Sequence, residues 1–107
     1  QTLAHNYYPA TLWRNTEKVT LEKGTYAPYL LQRETEDFIK REKNKPFFIY
    51  YATILPHANN ELTRETGNGM EIPSNEPYSK ENWTIQQKNY AAMVSLVDEQ
   101  VGRINKL

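Results

Sequence analysis

The sequence contains no cysteine. That excludes a disulfide framework, a thiolate metal site and a cysteine nucleophile, and it leaves the redox compartment open. There is no charge surplus either: 13 Lys+Arg stand against 13 Asp+Glu. A neutral chain has no electrostatic driver for phosphate binding, so nucleic acid is not an expected partner. No run of ~18 apolar residues occurs, so no membrane span is expected. No charged segment followed by an apolar one opens the chain, so no signal peptide is visible. Glycine is scarce, with 4 in 107 residues, and Gly67-Asn68-Gly69 is not followed by Lys-Ser/Thr, so it is a turn signal and no phosphate loop. What is present suits a modest core: 38% of residues are hydrophobic and 24% charged. The length allows one small domain or a piece of a larger one. Both ends look cut, since Gln1 is not an initiator Met and Leu107 falls inside an apolar helical pattern. An internal piece of a longer chain is therefore the expectation.

Residues 1–24 are turn-rich and aromatic, and read as an irregular lead-in with at most one short strand, around Lys18-Val19-Thr20-Leu21. Thr25 is a candidate N-cap for a helix whose first turn tolerates Pro28. From Tyr26 to Lys43, Ala27, Leu30, Leu31 and Phe38 share one face at about 100° per residue, and Arg33, Glu36, Lys40 and Lys43 lie opposite. Asn44-Lys45-Pro46 ends that helix. Phe47-Phe48-Ile49-Tyr50-Tyr51-Ala52-Thr53 then forms an unbroken apolar and aromatic run of high strand preference. Without polar alternation it reads as a strand covered on both faces. Helix, proline and buried strand make half of a βαβ unit, so the fold class is α/β. Ile54–Ser79 reads as a loop too long for a passive connection, with high mobility and few backbone hydrogen bonds expected over 58–80. Thr84–Lys106 is helical, with a stripe of Tyr90, Met93, Val97 and Ile104. Asn82-Trp83-Thr84 is formally a glycosylation triplet, common by chance.

The most informative chemistry lies at Pro56-His57, just beyond the expected strand. Ligands of open α/β sheets sit past the carboxyl ends of strands. An imidazole there suits proton transfer or anion contact, or else simply caps a loop. His5, in the lead-in, reads as a surface residue. Asn59, Asn60, Glu61 and Arg64 are either substrate contacts for a polyhydroxylated or anionic ligand, or a solvated loop. Trp13, Trp83 and the tyrosines suit sugar stacking or, more commonly, packing. Two histidines without clustered carboxylates do not make a transition-metal site.

Lys45-Pro46-Phe47-Phe48-Ile49-Tyr50-Tyr51-Ala52 followed by Leu55-Pro56-His57 resembles the sulfatase segment that usually reads K-P-F-F-L-Y-x-A and ends in P-H. Tyr8-Pro9-x-x-Leu12-Trp13-Arg14-Asn15, Gly24-Thr25-Tyr26, Phe38-Ile39, Tyr90-Ala91-Ala92-Met93 and Val97-Asp98-x-x-Val101-Gly102-Arg103-Ile104 extend the likeness over nearly the whole chain. It is most similar to bacterial arylsulfatase-type, formylglycine-dependent enzymes. The resemblance implies an alkaline-phosphatase-like α/β sandwich much longer than this chain, and hydrolysis of sulfate esters, commonly on carbohydrates. It also implies a periplasmic or secreted setting, a formylglycine nucleophile made from a C/S-x-P-x-R motif, and calcium. Ser74, Ser79 and Ser95 are not followed by x-P-x-R, and no Asp-Asn-Gly motif is present. Residues 1–107 are thus expected to be an internal part of one catalytic domain, comprising lead-in 1–24, helix–strand unit 25–57, substrate-side loop 58–80 and helix 84–107. Such a piece is expected to bind neither calcium nor formylglycine and to be inactive alone, its partners being the rest of the parent chain and a sulfate ester. By the resemblance, His57 contacts the ester and protonates the leaving oxygen, while Asn59, Asn60, Glu61 and Arg64 match only a variable loop. Two other readings stand beside this one: a sugar- or protein-binding α/β module, and a phosphodiesterase or phosphonate hydrolase of the same superfamily.

Overall fold

Two tyrosines organise the chain, and most of its elements can be placed from them. The structure, a computed structural model, describes residues 4–107. Tyr7 and Tyr26 are buried and stack with ring centroids 5.6 Å apart. They form the core with Leu55, Met93 and Leu96, and Tyr8, Ile54, Met70, Ile72 and Val97 pack around them. Burying these phenols raises their pKa values well above the ordinary tyrosine range, and the Glu71 charge adds to the effect.

The lead-in is more regular than its composition suggests. Strands β1 (Thr11–Arg14) and β2 (Glu17–Thr20) pair antiparallel, with Leu12 opposite Val19 and Arg14 opposite Glu17. The two residues between them include Asn15 at φ 56°, a left-handed conformation that asparagine tolerates in hairpin turns. The expectation of at most one strand here is corrected. Alternation across 11–20 is weak because both faces are largely exposed, so no core-facing pattern marks the pair.

Helix α1 (Ala27–Glu42) lies within one residue of its expected span at either end. Its N-cap is Tyr26, without a side-chain cap bond, and not Thr25, whose hydroxyl donates to the Glu22 carbonyl. Pro28 fits the first turn, where its missing N–H is no loss. The buried face carries Gln32 and Glu36 as well as Ala27 and Ile39, so placing Glu36 on the solvent side is also corrected. The α3 helix (Ile85–Asn105) is the reason. Arg103 grips both Glu36 oxygens at 2.7 and 3.1 Å, Gln32 donates to Glu36 at 2.8 Å, and Gln100 donates to the Pro28 carbonyl at 3.3 Å. The Arg103 and Gln32 hydrogen bonds hold the Glu36 carboxyl below the usual carboxylate range. Helix α3 begins on a capping box, in which Thr84 accepts from the Gln87 N–H and the Gln87 side chain accepts from the Thr84 N–H.

The class is mixed α/β, with a two-stranded sheet and three helices among the described residues. The expected strand Phe47–Thr53 is the main correction, because it joins no ladder. Phe48 is 86% exposed and Tyr50 84%. The run leans on α1 through an edge-on contact of Phe47 with Phe38, 5.9 Å between centroids. A strand's polar backbone needs a neighbour on at least one edge, and the described residues offer none beside this run. Accordingly Phe38 meets Phe47 rather than a sheet, while Met93 and Val97 pack on the tyrosine core.

The expectation of a loosely bonded 58–80 loop is corrected too. It contains α2 (Asn60–Thr66) and is bonded along the N-terminal half of α3. Asn89 donates to the Met70 carbonyl at 2.8 Å, Gln86 to the Gly67 carbonyl at 3.2 Å, and Lys88 to the Ser79 carbonyl at 3.0 Å. The Tyr78 hydroxyl lies 2.7 Å from Ser95 Oγ, and the Tyr78 ring stacks on Trp83. Among the described residues no helix is long and apolar enough to cross a membrane.

Candidate functional site

The site is assembled where the tyrosine core reaches the surface. The chain turns at Ile54–His57, with the His57 N–H donating to the Ile54 carbonyl at 2.8 Å and the Leu55–Pro56 bond cis. The Tyr7 hydroxyl reaches up from the core to the carbonyl oxygens of His57, at 2.5 Å, and Ile54, at 3.1 Å. The His57 backbone is therefore tied on both sides while its side chain stays exposed.

The imidazole has a defined proton arrangement. Its Nδ1 lies 2.6 Å from the Ala58 carbonyl oxygen. A carbonyl can only accept, so Nδ1 carries hydrogen and Nε2 is the nitrogen left for chemistry.

His5 lies directly against this ring. The two imidazoles stack with centroids 4.8 Å apart and planes 9° from parallel. His5 Nδ1 in turn meets Glu61 Oε2 at 3.3 Å. Glu61 is in the first turn of α2, and its own backbone N–H, with help from His5 and Arg64, keeps its carboxyl below the usual range. The sequence reading of His5 as a surface residue agrees with its partly exposed side chain, and its place beside His57 was not foreseen. The usable signal was its place two residues before Tyr7, but only the fold shows that Tyr7 is the buried anchor that sets His5 beside His57.

Asn59 is the N-cap of α2 and is almost fully committed. Its Oδ1 accepts from the Leu62 N–H at 3.1 Å, its Nδ2 donates to Glu71 Oε1 at 2.7 Å, and its N–H donates to the Gly69 carbonyl at 2.8 Å. Its own carbonyl accepts from the Thr63 N–H and hydroxyl, each at 2.9 Å. Tyr26 closes the circuit by donating to the Glu71 carbonyl at 2.8 Å. Gly69 is required by this closeness, since a Cβ there would collide with the Asn59 backbone and the Thr63 hydroxyl. Asn59 thus holds the loop and has little left for a ligand. Asn60 opens α2, and Arg64 stands exposed in its last turn.

Of the five residues singled out from sequence, His57 and Glu61 meet through His5, and Asn59 caps the helix that carries Glu61. Asn60 and Arg64 share α2 with Glu61. No group of three or more His, Asp or Glu side chains suited to a metal ion occurs among the described residues. With no cysteine and no serine in the required motif, the chain's own residues do not fit the formylglycine that the resemblance implies.

The family model described as Sulfatase matches residues 1–107, the whole chain. No curated protein and no solved structure matches.

Proposed function

The chain belongs to the sulfatase family, and from that premise we propose that it forms part of a sulfuric ester hydrolase acting on carbohydrate sulfates, with His57 as its catalytic contribution. The observation that carries this reading is the His57 ring itself: exposed, tied through its backbone, and oriented by the Ala58 carbonyl so that Nε2 is free. The nucleophile and metal are contributed by residues outside this chain, and these 107 residues alone do not turn over an ester.

Sugar alkoxides are poor leaving groups, so a proton delivered to the bridging oxygen lowers the barrier. As imidazolium, His57 keeps Nδ1–H on Ala58 and presents Nε2–H to that oxygen. The same charge offsets developing negative charge on the sulfuryl oxygens. Asn60 and Arg64, on the helix next to the histidines, are assigned to substrate contact, with the Arg64 guanidinium suited to a sulfate or uronate oxygen pair.

The test is His57→Ala in the complete enzyme, assayed on an alkyl or sugar sulfate and on an activated aryl sulfate. The expected loss is ~10²–10⁴-fold in kcat on the former, and less on the latter, whose leaving group needs no proton. Equal losses on both would assign His57 to sulfate binding alone. Wild-type kcat/KM on both would overturn the reading.

A further inference from the structure

We propose that His5 is a positioning residue for His57: its ring, held by Glu61, forms a wall that fixes the plane of the reactive imidazole. The inference rests on His57 being the catalytic residue and adds two residues to it.

A single hydrogen bond from Nδ1 to the Ala58 carbonyl leaves the His57 ring free to rock about that contact. Rotation about χ2 is soft for imidazoles, which have broad terminal torsions. The His5 ring removes that freedom, because at 4.8 Å and 9° it occupies the space on one face into which His57 would turn. His5 can act as a wall only if it is itself held. Glu61 Oε2 at 3.3 Å holds its Nδ1, and a carboxylate can only accept, so this bond also decides where the His5 proton sits. Tyr7, two residues on, is fully buried, its carbonyl accepts from the Ala27 N–H at 2.9 Å, and its hydroxyl bonds the His57 carbonyl. The same residue thus anchors the backbone on both sides of the stack. His5 meets the ring of His57 and Glu61 meets His5. Their effect passes through the orientation of Nε2, and catalysis is sensitive to such small misplacements.

Three variants of the complete enzyme test this, with His57→Ala as reference. His5→Ala opens the wall, His5→Phe restores a flat ring without the Glu61 bond, and Glu61→Gln keeps a hydrogen-bond acceptor without the charge. Each is assayed for kcat and KM on an alkyl sulfate, and the His57 ring nitrogens are followed by 15N NMR, assigned by their loss in His57→Ala. The expected result for His5→Ala is a roughly tenfold or larger fall in kcat with KM little changed, together with loss of the single Nδ1–H signature of His57. His5→Phe should recover most of the kcat, a rescue that a merely structural role for His5 would not give, and Glu61→Gln should fall between the two. If His57→Ala cripples the enzyme while His5→Ala leaves kcat and the His57 nitrogen signals unchanged, the positioning role is overturned and the function of His57 stands. If His57→Ala is itself silent, both fall.

Discussion

Residues 47–53 and 54–72 are neighbours in sequence and opposites in behaviour. The first is the most strand-prone run in the chain, yet it joins no ladder, and Phe48 and Tyr50 face outward. The second is full of turn formers, yet it is bonded to the tyrosine core, to α3 and within itself. The difference lies in where each segment finds its partners. Turn and cap residues satisfy their backbone within a few positions, as Asn59 does with Leu62 and Thr63. A strand depends on another strand, and β propensity measures fit to a sheet rather than the ability to form one.

The comparison can be tested by removing what holds the second segment and by changing what leaves the first exposed. Met93 is fully buried in the core beneath Ile54 and Leu55. Met93→Ala should cost about 2–5 kcal/mol of unfolding free energy in a denaturant titration. A smaller loss would mean that the core collapses around the gap.

Tyr7→Phe keeps the ring and removes the hydroxyl from two buried-side carbonyls. A cost of about 1–3 kcal/mol is expected from the lost acceptor pairing, with faster amide exchange at His57. Unaltered exchange there would show that the Ile54–His57 turn holds without its tether.

Alkaline pH should act on the same tether. Burial raises the phenol pKa values of Tyr7 and Tyr26 above the ordinary 10.0. Above about pH 10 the unfolded chain releases these protons while the folded chain keeps them, so the unfolded state binds fewer protons and stability falls as pH rises. Tyr26→Phe should flatten that decline. A melting temperature that stays constant from pH 9 to 11 would contradict it.

Thr84→Ala removes one half of the capping box that starts α3, the helix to which the loop is bonded. About 1 kcal/mol is expected, read as a lowered melting temperature.

The smallest effect belongs to the first segment. Phe48→Ser should change the stability of the 107-residue chain by no more than about 0.5 kcal/mol, as for other exposed positions, while lessening its aggregation. The same change in the complete enzyme should be far more damaging if further chain covers this run. Equal, small effects in both settings would show that the run stays exposed in the longer protein.

Both long helices were legible from local pattern. Apolar spacing marked α1 and α3, and Asn44-Lys45-Pro46 marked one end, because helix hydrogen bonds close within four residues. His57 was singled out from its place after Pro56, and the fold leaves its ring exposed at that turn. The α2 helix was hidden because seven residues carry too little periodicity, although the Asn59 cap and Gly67 at φ 81° bracket it.

What local pattern could not reach depends on contacts distant in sequence. Glu36 has the charge of a surface residue and is buried because Arg103 meets it from another helix. His5 has no motif of its own and comes to stack on His57 because Tyr7, two residues on, is buried and bonded to the 54–57 turn. The Phe47–Thr53 run has every local mark of a strand and lacks only a neighbour. Helices, caps and turns are settled by interactions a few residues long, which composition and spacing record directly. Side-chain pairs between elements and strand pairing are settled by which surfaces come together, and that is decided only when the chain folds.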